Sequence, residues 1–241
     1  MNSNIIKIIA CVSMLIDHAG LLLFPQYQWM RWIGRLAMPL FGFFIAEGAR
    51  HTSNRRRYFL RTFCLGVVCQ TVYLAEEILS GGIRSVYLNI LFTFSFSMLI
   101  CFAYMDVEKA LESADKSRVF QKSTLFLLVS VLVIAFEIFC TNSRELIGVK
   151  LSFDYGAAGA FLPLFAAMGK GRIKQLVCYS LGLILFALSF AESLPYIWFA
   201  LLDIPILFFY NGERGSRKLK YMFYVFYPLH LGLLYLIDMF I

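Results

Sequence analysis

Asp17 and His18 stand side by side inside an apolar run, IIKIIACVSMLIDHAGLLLF, and His230 sits in a second run, YVFYPLHLGLLYLI. Asp203 lies in a third, YIWFALLDIPILFFY. Ionisable groups are costly inside lipid and are usually paired, functional or both. Histidine titrates near neutral pH, so a histidine here fits a general base. Adjacent helical residues point about 100° apart, so Asp17 and His18 cannot face the same neighbour. One is expected to face a cavity and the other a neighbouring helix.

Each group also has a plainer reading. Asp17 could be a packing hydrogen-bond acceptor and His230 a satisfied core histidine. Asp203 precedes Ile204-Pro205, where a proline bends a helix. Arg35 lies near enough to a helix end to snorkel. Glu47 and His51 are spaced i, i+4 on one face and could simply pair with Arg50 or the arginine cluster. The run Arg55-Arg56-Arg57 suits either a topology anchor or a multiply charged phosphate.

The bulk composition sets the solvent these groups experience. The chain is 60% hydrophobic and only 15% charged, with a mean hydropathy of +0.73. A soluble domain of this length would not have that balance. The net charge of +7 lies between apolar segments, which favours membrane topology over a nucleic-acid partner. The cysteines (Cys11, Cys64, Cys69, Cys101, Cys140 and Cys178) form no CxxC and read as small core residues. Three histidines with no ligand spacing give no metal site. The first apolar run lacks a suitable cleavage site and is expected to be a retained span.

These features predict an all-α, polytopic transmembrane bundle forming a single domain over 1–241. A span needs about 20 apolar residues. Candidates fall near 5–24, 31–50, 58–79, 86–105, 123–140, 155–169, 174–191, 195–210 and 221–240, about nine spans. The sixth is short and rich in Gly and Ala, so it is either a tightly packed helix or a re-entrant piece. The stretch MDVEKALESADKSRVFQK reads as a short cytoplasmic helix or loop.

Connections rich in Arg and Lys (50–61, 106–122, 170–174 and 214–220) alternate with poorer ones holding Arg31, Arg84, Arg144 and Lys150. This alternation places the N-terminus inside the cell and the C-terminus outside. From the inner face, Asp17 and His18 lie about 18–20 Å up span one and His230 about 14 Å up the last span. Asp203 is about halfway up span eight, and Glu137 is in the outer third of span five.

The blocks KIIACVSMLIDHAG, RWIGRLAMPLFGFFIAEGARHTSNRRRYFLR and KYMFYVFYPLHLGLLYLI resemble the TraX family, named for the pilin N-acetylase of conjugation systems. Between these blocks the resemblance is only a run of apolar spans. TraX-like proteins are similar to integral-membrane acyltransferases. In those, an early-span histidine is the base and acyl-coenzyme A the donor.

The resemblance implies a membrane acetyltransferase with acetyl-CoA as donor substrate and no metal. The acceptor would be an amine or hydroxyl on a pilin, peptide or envelope glycan. His18 would be the base and Asp17 its neighbour. Arg35, Glu47, His51, Arg57, Tyr58, Arg61, Tyr227 and His230 fall on the family's motifs. We assign Arg35, His230 and Tyr227 to the catalytic set, and Glu47, His51, Arg55, Arg56, Arg57, Tyr58 and Arg61 to donor binding. Arg35, Tyr227 or a backbone N–H at the Pro39 or Pro228 break would stabilise the oxyanion. The densest basic cluster falls on the expected cytosolic side, where the donor is made.

Other classes compete. A proton-coupled transporter could use Asp17, His18, Asp203 and His230 as a relay. A non-catalytic assembly protein would tolerate His18→Ala.

Overall fold

The computed structural model describes residues 1–79, 85–113, 115–193, 195–216 and 219–240. Arg84, Arg217 and Lys218 lie outside the described residues. The chain is all-α apart from one small sheet. Its helices are α1 (Ser3–Leu22), α2 (Gln28–Gly34), α3 (Ala37–His51), α4 (Arg55–Leu79) and α5 (Ile90–Glu112). They continue with α6 (Lys116–Ile147), α7 (Gly156–Met168), α8 (Arg172–Phe190), α9 (Asp203–Phe208) and α10 (Leu219–Asp238). A 3₁₀ segment, Pro195–Leu202, runs directly into α9.

Among the described residues, five helices are long and apolar enough to cross a bilayer: α1, Arg55–Ala75 within α4, α5, α6 and α8. Their outer faces are greasy. On α6, Leu127, Leu128, Val131, Leu132 and Ile138 are all exposed. A water-facing helix would not display such a stripe, whereas lipid is a good solvent for it.

Every expected span contains helix, but two are broken and the fourth, 86–105, opens in a short strand. Span two divides at Arg35 and Leu36 into α2 and α3. Span eight is a 3₁₀ turn followed by six residues of α-helix. Its Pro205 lacks an N–H and cannot continue a long hydrogen-bond ladder.

The polar stretch expected to be a short helix or loop is mostly the ends of two long helices. Asp115 caps α6 by accepting from the Ser117 and Arg118 amides. With 32 residues, α6 is about 48 Å long and overshoots the hydrocarbon core.

The chain divides into two compact units. One contains 1–44 and 168–241, the other 45–167.

In the second unit, β1 (Ser85–Leu88) and β2 (Lys150–Phe153) form a two-stranded parallel sheet, with Val86 opposite Leu151. The sheet was not expected from sequence, because four-residue strands carry too few residues to display a period of two. Ile100, Val133, Cys140, Phe153 and Ala160 form a core beneath it. Phe96 and Phe136 close over Phe153.

In the first unit, the N-terminus is laced to the loop before α10. Asn2 caps α1 by accepting from the Asn4 and Ile5 amides. The Ser3 amide donates to the Glu213 carbonyl at 2.8 Å. The Ser3 hydroxyl donates to the Arg214 carbonyl, and Asn4 Nδ2 to the Ser216 carbonyl at 2.9 Å. Both α1 and α10 therefore start from the same end.

Candidate functional site

The first unit brings together residues from α1, α2 and α10. Along α1, Ile6, Ala10, Ser13, Asp17 and Gly20 form one buried stripe, the helical spacing that faces a core. Along α10, Tyr227, His230, Leu231 and Leu234 do the same. The lacing at the N-terminus sets the level at which these stripes meet. Asn4 and Ser216 are 212 residues apart in sequence, and so are His18 and His230. Both contacts thus join α1 and the α10 region at the same sequence offset, one at the start of the helices and one further along.

His18 Nδ1 lies 2.8 Å from His230 Nε2. The ring centroids are 5.0 Å apart and the planes differ by 21°. One nitrogen–nitrogen contact plus the two ring radii accounts for that separation, so the rings meet edge to edge. The second nitrogen of His230, Nδ1, is 2.8 Å from the Phe226 carbonyl. Phe226 stacks on the same ring at 4.7 Å, and Tyr227 meets it edge-on at 5.7 Å. His230 is buried, only 4% exposed, while His18 is half-buried.

Asp17, about 100° round the helix from His18, faces α2. Arg35 Nη2 donates to both of its carboxylate oxygens, at 2.8 and 3.0 Å. Arg31 Nη1 lies 2.9 Å from Asp17 Oδ2 and donates to the Asp17 carbonyl at 3.0 Å. Arg35 Nε donates to the Arg31 carbonyl, and its guanidinium rests on the Tyr196 ring at 5.6 Å. Two arginines on one carboxylate leave a local charge of +1.

Glycines permit this approach. A Cβ on Gly34 would lie 2.1 Å from Asp17 Oδ1, and one on Gly20 would lie 2.6 Å from Met30 Cβ. Arg31, within α2, and Arg35, its C-cap, are one helical turn apart and so both face Asp17.

The second unit holds the residues expected to bind the donor. Arg55 Nη1 pairs with Asp106 at 2.6 Å, which Lys122 also approaches at 3.7 Å. Arg50 pairs with Glu108 at 3.4 Å and donates to the Ala167 carbonyl. Arg56, Arg57 and Arg61 are exposed, with no ion pair among the described residues. The Arg57 amide is capped by Asn54 Oδ1 at 2.8 Å. His51 is exposed, with Nδ1 2.9 Å from the Glu47 carbonyl. Tyr58 packs onto Gly48, where a Cβ would lie 2.4 Å from its hydroxyl. Among the described residues, no group of histidine, cysteine and carboxylate side chains could hold a metal.

A family model described as TraX protein matches residues 2–238. The chain belongs to the TraX family. Among TraX relatives it is similar to a probable fimbrial assembly protein FimC, serogroup H1, of Dichelobacter nodosus. The two are 30% identical over 98% of this chain and 95% of the relative. It is also 36% identical to an uncharacterized protein, RP591, of Rickettsia prowazekii (strain Madrid E), over 36% of this chain and 34% of that one. No solved structure matches it.

Within this TraX chain, Asp17, His18, Arg35, Tyr227 and His230 gather in the first unit. Arg35 is spent on Asp17 and Arg31 rather than pointing away as a spare donor. In the sequence Arg31 reads only as a loop charge. Its spacing of i, i+4 from Arg35 was the available signal. Arg31 Nε and Nη2 bond no other described residue, so they are the open donors here.

Asp203 is wholly buried, and neither of its oxygens has a hydrogen-bond partner among the described residues. Glu137, in the second unit, accepts from the Ala157 amide at the start of α7.

Proposed function

We propose that the chain is an acetyltransferase of the bacterial cytoplasmic membrane, with its N-terminus inside and its C-terminus outside. It would move an acetyl group from acetyl-CoA to an amine or hydroxyl acceptor. A pilin-like or peptide N-terminus is favoured over an envelope glycan, since the full-length relative is named for fimbrial assembly. The observation that carries the reading is the His18–His230 contact beside a carboxylate fixed by two arginines.

In the reaction, a His18 ring nitrogen removes the proton from the acceptor N–H or O–H as that atom attacks the thioester carbonyl. The carbonyl oxygen becomes an oxyanion, which the net positive charge of Arg31, Arg35 and Asp17 favours. The C–S bond then breaks. The departing thiolate of CoA takes the proton back from His18, so the protein returns to its starting state. Arg31 supplies the open donors, and Tyr227 walls the site. In the second unit, the exposed Arg56, Arg57 and Arg61 suit the phosphates of the donor. Glu47, His51 and Tyr58 shape that surface, and Arg55 is held in place by Asp106.

The test is calorimetry of acetyl-CoA on detergent-purified protein. Saturable binding is expected, unchanged in His18→Ala and weakened at least tenfold when Arg56, Arg57 and Arg61 are all alanine. Absence of binding by the wild type overturns the reading. Orientation of the triple variant must be checked by labelling, because those charges also set topology. One observation favours proton-coupled transport instead: the buried Asp203 carboxylate, a group of the kind transporters use.

A further inference from the structure

The hydrogen bonds of the histidine pair determine where its protons are. A backbone carbonyl can only accept, so His230 Nδ1, 2.8 Å from the Phe226 oxygen, carries a hydrogen. In a neutral ring the other nitrogen is then a bare acceptor. His230 Nε2 faces His18 Nδ1 at 2.8 Å, so His18 Nδ1 must carry the hydrogen between them. That leaves His18 Nε2 without one. No described residue hydrogen-bonds to Nε2, and His18 is half-buried rather than sealed.

We infer that His230 is a positioning residue that holds His18 in its Nδ1–H tautomer, making Nε2 of His18 the proton-accepting nitrogen of the site. This rests on the acyltransferase reading for its role in catalysis, but not for its chemistry. A free histidine side chain prefers the opposite tautomer, with hydrogen on Nε2. The Phe226 carbonyl and His230 together reverse that preference.

The pair also forms a two-ring proton path. When Nε2 of His18 takes a proton from the acceptor, its Nδ1–H can cross 2.8 Å to His230 Nε2. The positive charge then rests on His230, whose Nδ1–H keeps its bond to Phe226. The proton returns by the same route to His18 and leaves from Nε2 onto the thiolate. No oxidant or added group is required. The edge-to-edge ring geometry suits this exchange, because the lone pair and the N–H lie in the ring planes.

The experiment is nitrogen NMR on detergent-solubilised, ¹⁵N-histidine-labelled protein, held at a pH above the titration range of both rings. The chain has three histidines, so single variants assign every resonance. The expected wild-type result is His18 with a protonated Nδ1 and a bare Nε2. In His230→Leu, His18 should revert to the Nε2–H form. His230→Gln, whose amide oxygen can accept from His18 Nδ1, should keep the wild-type form.

In acetyl transfer, His230→Leu should lose about 10²- to 10⁴-fold in kcat with little change in KM, and His230→Gln should recover much of it. A wild-type His18 protonated on Nε2 overturns the inference whatever the protein catalyses. The expected tautomer without any acetyl transfer would leave the inference standing and remove the acyltransferase reading.

Discussion

The carboxylate of Asp17 occupies the space where a side chain on Gly34 would be. A Cβ there would sit 2.1 Å from Asp17 Oδ1, well inside van der Waals contact. Asp17 cannot simply swing away, because Arg35 grips both oxygens and Arg31 grips one of them and the backbone carbonyl. Gly34→Ala should therefore force α2 away from α1. A destabilisation of about 1–3 kcal/mol is expected, read by thermal unfolding in detergent. Activity should fall further than stability, because α1 also carries His18. Wild-type stability and activity would mean that α2 does not pack on Asp17 in the membrane.

The charge cluster makes a second, graded prediction. Arg35 is only 4% exposed. Asp17→Ala strands its charge, which costs about 3–5 kcal/mol when a buried partner is removed. The Arg31 side chain is 23% exposed, so Arg31→Ala should cost much less stability while lowering kcat through loss of an oxyanion donor. Urea unfolding of the two variants gives the order. Equal losses would show that Arg31 is as structural as Asp17.

Much of this arrangement was legible in the sequence, and the limits have physical causes. The divergence of Asp17 and His18 follows from helical periodicity alone. The contact of His18 with His230 does not. Two residues 212 positions apart meet where α1 and α10 pack together, and the Asn4–Ser216 and Ser3–Glu213 bonds join the same two stretches of chain at their starting end. Hydropathy cannot register such polar loop contacts. The break at Arg35 was hidden because apolar residues flank it on both sides and α3 has its proline, Pro39, within the first turn, where proline is tolerated. Arg55 could not be separated from Arg56 and Arg57 by type. Only the fold shows that Asp106 neutralises it.

The lacing at the N-terminus yields a third prediction. Asn4→Ala removes the bond to the Ser216 carbonyl. The direct cost should be about 1 kcal/mol. If that bond sets the helix level, cysteine pairs engineered near His18 and His230 should cross-link several-fold more slowly in the variant. An unchanged rate would place control of the register elsewhere in α10.

A fourth prediction concerns Asp203. A buried carboxylate with no hydrogen-bond partner among the described residues is a cost to the fold rather than a support. Asp203→Leu should leave stability unchanged or raise it by about 1 kcal/mol or more. Acetyl transfer should persist. Loss of acetyl transfer with stability retained would place Asp203 in the transfer mechanism.

The central claim is that His18 takes the acceptor's proton during acetyl transfer. It is tested most directly by incubating native membranes containing the protein with acetyl-labelled acetyl-CoA and counting label in protein and glycan fractions. Wild-type membranes should incorporate label, and membranes with equal amounts of correctly inserted His18→Ala should incorporate about 10²- to 10⁴-fold less. Equal incorporation by both, or none above background by the wild type, would contradict the account.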